Sequence, residues 1–560
     1  MSNVPTRHAA VLFRTKATVL QMRRGARDVT SGVRAWPRPD GTGFNYVLAQ
    51  SRSPLWNDAS PAEVRLQKGK VQNLRAALRR LDGTIIPANE LFSFWKQIGQ
   101  ATTRRGYVSG RLLREGCLIP AVGGGLCQLS NALYAAALDS GCEIVERWAH
   151  SQTVPGSSAA QGRDATVAWN YIDLRFRPQC EMQISAKLSH DELVVRFLAR
   201  QPVAVQPLVP LSSLNAPTPL LNPAAHSCGS CGQSACFRHS PAQSTVEIDR
   251  TLWLLDEEWP EFEELAKQKA HEIWTPDNAG WRRWYRGAAT RFAGEGAAKR
   301  AASLQGTARI AGYFAHRIDY ETTHLVVAQG FLPFLWQQGA LGGRSFDVLM
   351  TRLPLHELHA RLDEASLRIA APTLRDFRAP QNVVNVEREA LAHARTLWTP
   401  HKALAAMFPH AQRLPWHEPK TEKQTSAISD AIFFPGPAVA RNGCHAVREA
   451  ALALDIEVWA SGVSHEGIDF WKPAKMRVTT NWREALAVVM PSVWDNSPRL
   501  LMRALAAGVP VIATAGCGIE PREGLYLVPF GDSDSICSAI EDIREVRSKS
   551  TGLCETAPTC

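Results

Sequence analysis

With 560 residues, 45% of them hydrophobic and 21% charged, the chain can bury several cores, and its length points to three or four domains. The net charge of +10 is small for this length and is scattered over short clusters such as RRGAR (Arg23 to Arg27), LRRL (Leu78 to Leu81) and WRRWYR (Trp281 to Arg286). That distribution argues against a nucleic-acid stripe and leaves attraction of anionic lipid carriers or nucleotide sugars. The opening MSNVPTRHAAVLFRTK lacks an apolar core of signal-peptide length and no run reaches a membrane span. The expectation is a cytoplasmic protein, at most peripheral at the inner face of the membrane, whose twelve cysteines are thiols or metal ligands, not disulfides.

The first domain is expected over residues 1–200, as an α+β unit. Within it, VGGGLCQLSNALYAAALDSGCEIVERWAH (Val122 to His150) places three glycines, Gly123, Gly124 and Gly125, before a helix whose Leu126, Leu129, Leu133 and Ala136 recur at helical spacing. Cys127 falls in the first turn, where the unpaired N–H groups favour a thiolate. Gly141 ends the helix, and EIVERWAH reads as a strand closing on His150. A second strand, ATVAWNYIDLRFR, starts just after Asp164. Cys127, His150 and Asp164 thus stand in the order nucleophile, base, orienter of a thiol acyl-transfer site. The bland alternative is a small residue at a crowded backbone crossing and a surface histidine.

The run NLRAALRRLDGTIIPANELFSFWKQIGQATTRRGY (Asn73 to Tyr107), followed by GGGLCQLSNALYAAAL, ERWAHS and GRDATVAWNYIDLRF, resembles the VanW-like family, named for an accessory protein of vancomycin-resistance clusters. The resemblance spans about Lys68 to Ala199, with ANE at Ala88 to Glu90 where the family pattern has PGE. It implies a connection to the cell envelope and peptidoglycan, without a defined reaction.

From Gln201 to Ala225 six prolines and almost no charge mark a semi-rigid connector, so residues 201–245 are expected to be a linker. It carries HSCGSCGQSACFRH, in which Cys228, Cys231 and Cys236 are spaced C-x2-C-x4-C between His226 and His239. Three thiolates and one imidazole, His239 or His226, make a tetrahedral zinc set, and an iron–sulfur cluster would accept the same cysteines with a fourth ligand. The Trp-rich stretch from Val246, with LWLLDEEWPEFEELAKQKAHEIW, reads as amphipathic helices and gives a helical connector over 246–306.

From Thr307 short apolar strands alternate with helices, the mark of parallel βαβ units. THLVVAQ, FDVLMTRL and RTLWTP supply a first Rossmann-like half over 307–425. AIFFPGP, IEVWASG, MRVTT, ALAVVMPS and VPVIATAG supply a second over 426–545, with 546–560 as a flexible tail. The fold class is therefore α/β and multidomain: an α+β domain, a cysteine-rich linker and a pair of Rossmann-like halves.

AVVMPSVWDNSPRLLMRALAAGVPVIATAGCGI (Ala487 to Ile519) resembles the donor-binding half of retaining GT-B glycosyltransferases, and ALAHARTLWTPHKALAAMF (Ala390 to Phe408) is similar to the end of their acceptor half. The resemblance implies a nucleotide-sugar donor held near Gly436, Arg441, Asp495 and Asn496. The family pattern has glutamates at the positions of Asp495 and Arg503, the second for the nucleotide ribose, and a guanidinium has donors only. RNG at Arg441 to Gly443 keeps the arginine of a basic pair and has Asn442 for its lysine, with Lys472 and Lys475 as candidate substitutes.

Three readings follow. In the first, a glycosyltransferase, of hexosyltransferase type, acts on a cell-envelope glycan or lipid-linked precursor that the VanW-like domain recognises or modifies. In the second, Cys127 carries an acyl-transfer or hydrolytic reaction beside a degenerate sugar binder. In the third, both parts are non-enzymatic modules of envelope assembly.

Overall fold

The computed structural model of the protein describes residues 7–39, 43–56, 61–114, 117–150, 152–153, 162–208, 218–219, 236, 250–256, 259–294, 296–376, 378–419 and 429–552. They belong to two units: Met1–Arg250 with Ala315–His324 and Trp336–Ser345, and Thr251–Phe314 with Leu325–Leu335 and Phe346–Cys560.

In the first unit, strands Met182–Leu188 and Glu192–Ala199 bury alternate residues, the period-two pattern of a sheet with one face on a core. They form the middle of a four-stranded antiparallel sheet, flanked by Tyr46–Pro54 and Thr84–Ile86. Helices Pro61–Leu81 and Leu126–Asp139 contribute Val71, Leu74, Leu129 and Leu133 to the core shared with Ile184, Val195 and Phe197. A three-stranded antiparallel sheet of Phe92–Ser93, Arg175–Arg177 and Glu143–Glu146 and the hairpin Ser109–Arg114/Cys117–Val122 complete it. The helix Arg7–Thr30 is tied down electrostatically: Arg175 bonds both oxygens of Asp28 at 2.8 Å and Asp173 at 2.8 Å, with all three side chains at most 9% exposed.

The second unit holds two parallel sheets. The order of the first is Glu272–Trp274, Arg250–Leu254, Thr322–Ala328, Ser345–Leu349, Thr396–Thr399, Ala411–Arg413. That of the second is Met476–Val478, Val458–Ala460, Ile432–Phe434, Ala487–Met490, Val511–Ala513, Leu525–Leu527. The central strands of the second sheet, IFF, VWA and VIA, are buried throughout, as parallel strands covered on both faces are. Strands Thr322–Ala328, Ser345–Leu349, Thr396–Thr399, Ile432–Phe434 and Ala487–Met490 each lead from their C-terminal end into a helix, so the loops that can hold a ligand gather at those ends.

Two boundaries differ from the sequence expectation. Residues 246–306 are not a helical connector: Arg250–Leu254 and Glu272–Trp274 are parallel strands of the first sheet, around helix Pro260–Lys269. The run TLWLL is apolar without interruption, and such a run fits a buried strand as well as a helix. The expected flexible tail from 546 is also shorter, because helix Ser533–Gly552 continues through it. In the first unit EIVERWAH is a strand only over Glu143–Glu146, and ATVAWNYIDLRFR only over Arg175–Arg177, with an isolated bridge between Ala168 and Ile172.

Arg175→Ala leaves Asp28 and Asp173 buried without their cation. It is expected to lower the stability of the first unit by about 3–5 kcal/mol in urea unfolding; an unchanged midpoint would contradict the assignment of Arg175 as the tie.

Candidate functional sites: a thiol triad and a cationic cleft

The glycine turn in the first unit is a close backbone approach. A Cβ on Gly124 would lie 2.4 Å from the Gly110 backbone, and Asn73 Nδ2 donates to both Val108 O (3.0 Å) and Gly124 O (2.9 Å). Gly125 caps the helix in the left-handed region at φ 97°, which seats Cys127 in the first turn, partly buried against the core. The structure brings the three predicted residues together. His150 Nδ1 lies 2.5 Å from Asp164 Oδ1, the His150 N–H donates to Asp164 Oδ2 at 2.5 Å, and His150 stands close enough to Cys127 to lower the pKa of its thiol. With Nδ1 engaged by Asp164, Nε2 is the ring nitrogen left for the thiol.

Asp164 is 1% exposed and is positioned by residues the sequence reading passed over. Ser130 Oγ donates to Ala165 O (2.6 Å), Ala165 N–H donates to Asn131 Oδ1 (2.8 Å), and Arg147 Nε donates to Asp164 O (2.6 Å). Ser130 and Asn131 lie three and four residues beyond Cys127, on the same helix face, and that spacing was the available signal. Burial opposes ionisation of Cys127, but the hydrogen bond and charge of His150, with Val167 and the Thr166 hydroxyl 3.7 Å away, outweigh it and hold the thiol below its ordinary range. Burial likewise pulls His150 down, yet Asp164 and Cys127 raise it to about 10. The opposite shifts favour moving the thiol proton onto the imidazole that the buried carboxylate orients.

In the second unit, Gly436, Arg441, Asp495 and Asn496 stand on loops that leave adjacent strand ends. Val493 N–H donates to Arg441 O at 2.8 Å, and a Cβ on Gly443 would lie 2.3 Å from Pro491 O, so the two loops touch through backbone. Asp495 is half-buried, burial raises its pKa, and its Oδ1 accepts from Ser497 N (3.0 Å). Asn496 and Arg503 are exposed, Arg503 in the last turn of helix Arg499–Ala506, where its charge meets the negative helix end. Lys472 and Lys475 do not replace the missing basic residue: they pair at the surface with Asp469 (2.7 Å) and Asp455 (2.6 Å).

The first half adds groups that spacing could not show. Arg352 bonds the fully buried Glu387 at 2.7 Å, and Glu387 also accepts from Leu355 N at 2.6 Å. Arg300 Nε is buried without a hydrogen-bond partner among the described residues, and burial with the charges of Arg352 and Arg441 lowers its pKa to about 10, against the pull of Glu387. Arg300 thus lies within electrostatic reach of Arg352, Arg441 and Glu387, a cluster with more cations than carboxylates. Beside it, His401 stacks on Trp494 at 4.2 Å with Arg361 4.9 Å from the same ring; burial holds His401 neutral, at about 4.

Of the metal set read from the linker, Cys228, Cys231 and His239 lie outside the described residues, as does His226, and Cys236 is a half-buried free thiol. Among the described residues Cys444, His445 and Glu466 place their ligand atoms within 4.8 Å of one another. Glu466 is already engaged by Ala440 N (2.7 Å), His445 (3.2 Å) and Thr373, and burial drives the Cys444 thiol far up, so this set is a hydrogen-bonded contact between the halves.

Residues 69–198 match the family described as VanW like protein, and residues 447–545 match glycosyl transferases group 1. The vancomycin B-type resistance protein VanW of Enterococcus faecalis is 32% identical over 166 residues, 29% of this chain and 60% of that protein. The uncharacterized protein YoaR of Bacillus subtilis is 37% identical over 117 residues, 21% of this chain and 38% of that one. The chain thus spans 60% and 38% of the length of these two relatives. Among solved structures, WaaG, a glycosyltransferase involved in lipopolysaccharide biosynthesis, aligns at 12% identity over 55% of this chain and 95% of its own, with a TM-score of 0.33. TarM aligns at 9% identity over 42% and 51%, with a TM-score of 0.30. The chain carries a VanW-like segment in its first unit and, in its second, a group 1 glycosyl transferase segment within paired Rossmann-like halves.

Cys127 is expected to react with iodoacetamide well below the roughly 8.5 of a free cysteine. His150→Ala removes the imidazolium and moves the labelling midpoint upward; a wild-type profile like that of a free thiol, or one that His150→Ala leaves in place, would remove the ion pair.

Proposed function

We propose that the protein is a glycosyltransferase that takes a sugar from a nucleotide-sugar donor and delivers it to a cell-envelope glycan or lipid-linked precursor, with the VanW-like part recognising or modifying the acceptor. The observation that carries this reading is Arg300, whose buried Nε has no hydrogen-bond partner among the described residues, within electrostatic reach of Arg352 and Arg441. Such a surplus of positive charge is stabilised by a bound diphosphate, and the N-terminus of helix Cys444–Ala453, opened by Gly443 at φ 81°, adds N–H donors near Arg441. Asp495 is the carboxylate available to the transferred sugar. Arg503 offers no acceptor to ribose, which favours a donor bound through its phosphates.

The geometry of the first unit favours a second activity. The Cys127 thiolate attacks an acyl carbonyl, a thioester S–C bond forms as the bond to the leaving group breaks, and His150 passes its proton to that group. Water, deprotonated by His150, then cleaves the thioester and restores the thiol.

Calorimetric titration with UDP-, GDP- and CMP-sugars tests the first reading. One of them is expected to bind, and Arg441→Ala to weaken it about 10-fold to 100-fold, as loss of one charge-assisted hydrogen bond costs roughly 1.5–3 kcal/mol. Arg503→Glu should strengthen binding by restoring a ribose acceptor. No binding by any form of the protein would leave the second unit a fold without a donor.

A further inference from the structure

The helix Trp281–Phe292, WRRWYRGAATRF, wears its two faces the wrong way round for a soluble protein. None of its residues is buried; Trp281 is 62% exposed, Trp284 78% and Phe292 84%. At 3.6 residues per turn these three rings and Ala288 share one face, and that face points outward. The less exposed face carries Arg282, Tyr285, Arg286, Ala289 and Thr290. Arg282 lies over the Tyr313 ring at 4.5 Å, Arg309 over Tyr285 at 3.9 Å, and Arg286 pairs with Asp256. The helix is thus held by cation–π and ionic contacts to its own unit, while its aromatic side is left to water.

We propose that this helix docks the protein on an anionic bilayer surface, lying in the interface with Trp281, Trp284 and Phe292 inserted among the headgroups. Two observations select that occupant. Between Trp281 and Phe314 the sequence has seven Lys or Arg (Arg282, Arg283, Arg286, Arg291, Lys299, Arg300 and Arg309) and one acid, Glu295; Arg283 and Arg286 pair with Asp277 and Asp256, while Arg291 and Lys299 are exposed, so the exposed charge that follows the rings in sequence is complementary to negative headgroups. The outward face of twelve residues measures roughly 18 Å by 10 Å, far below the about 800 Å² per side of a stable protein interface. Tryptophan with flanking arginine is the composition that settles at a membrane boundary. No described helix is long and apolar enough to cross a membrane, so this contact is one-sided. The inference goes beyond sugar transfer and stands on this helix alone.

Co-sedimentation of the full chain with phosphatidylcholine vesicles, with and without phosphatidylglycerol, tests it. The wild type is expected to pellet with the mixed vesicles and to be released by salt. Trp281→Ser with Trp284→Ser and Phe292→Ser should weaken binding about 10-fold or more, and Arg291→Glu should weaken it toward the anionic vesicles alone. Should the triple variant misfold by circular dichroism, Trp284→Ser by itself, at the 78% exposed position, gives the same reading with a smaller loss. The proposal is overturned if the wild type stays in the supernatant, if the triple variant pellets like the wild type, or if light scattering shows a wild-type dimer that the triple variant dissolves.

Discussion

The second unit turns on a single buried ion pair. Glu261, on the helix after the first strand, has a side chain 1% exposed and bonds Arg499 at 3.0 and 2.7 Å, while the His417 N–H donates to it at 2.8 Å. Arg499 opens the helix that follows the Asp495 loop, and its guanidinium lies 5.1 Å from the Trp259 ring and 5.5 Å from that of Trp416. Burial pushes the Glu261 carboxyl up, but Arg499 more than offsets it and keeps the group ionised. Removing one partner would strand a charge in an aromatic pocket, at a cost of about 3–5 kcal/mol. The pair therefore fixes one half against the other. The His401–Trp494 stack, Thr373 on Glu466 and Arg413 on Glu520 (2.7 Å) hold the same seam.

Both candidate sites use one local device. A glycine in the left-handed region starts a helix, Gly125 before Cys127 and Gly443 before Cys444, and each stands where a Cβ would strike a neighbour, the Lys70 stem in one case and the Pro491 carbonyl in the other. The helix start is thereby pressed into the protein instead of fraying in water, and the free N–H groups of a helix start favour negative charge. What differs is the second charge. In the first unit a histidine raised by a buried aspartate supplies it, and in the second, arginines contributed by distant segments do.

The thiol triad was legible because its members are chemically rare types set beside glycines within forty residues, and a strand that brings the chain back is short. The cationic cleft was legible only in its second half. Arg441 and Asp495 sit on recognisable strand ends, but Arg300, Arg352 and Glu387 belong to three separate helices and turns, and only the sheet topology makes them neighbours. Strand assignment failed where an apolar run was too short and too uniform to show a period, as at Arg250–Leu254 against the acidic helix Pro260–Lys269. Helix Ser533–Gly552 outran its expected end because Ile536, Ile540 and Ile543 anchor its first turns, and the polar residues after them continue the helix on its own propensity.

The central claim is that Arg300, Arg352 and Arg441 of the second unit hold a nucleotide diphosphate. Hydrogen exchange of the whole chain, with and without UDP or GDP, examines it without depending on turnover. The account predicts slowed exchange in Gly436–Gly443, in Val493–Ser497 and around Arg352, with the Cys127 helix unchanged. Exchange that no nucleotide alters, or protection confined to the first unit, would contradict it.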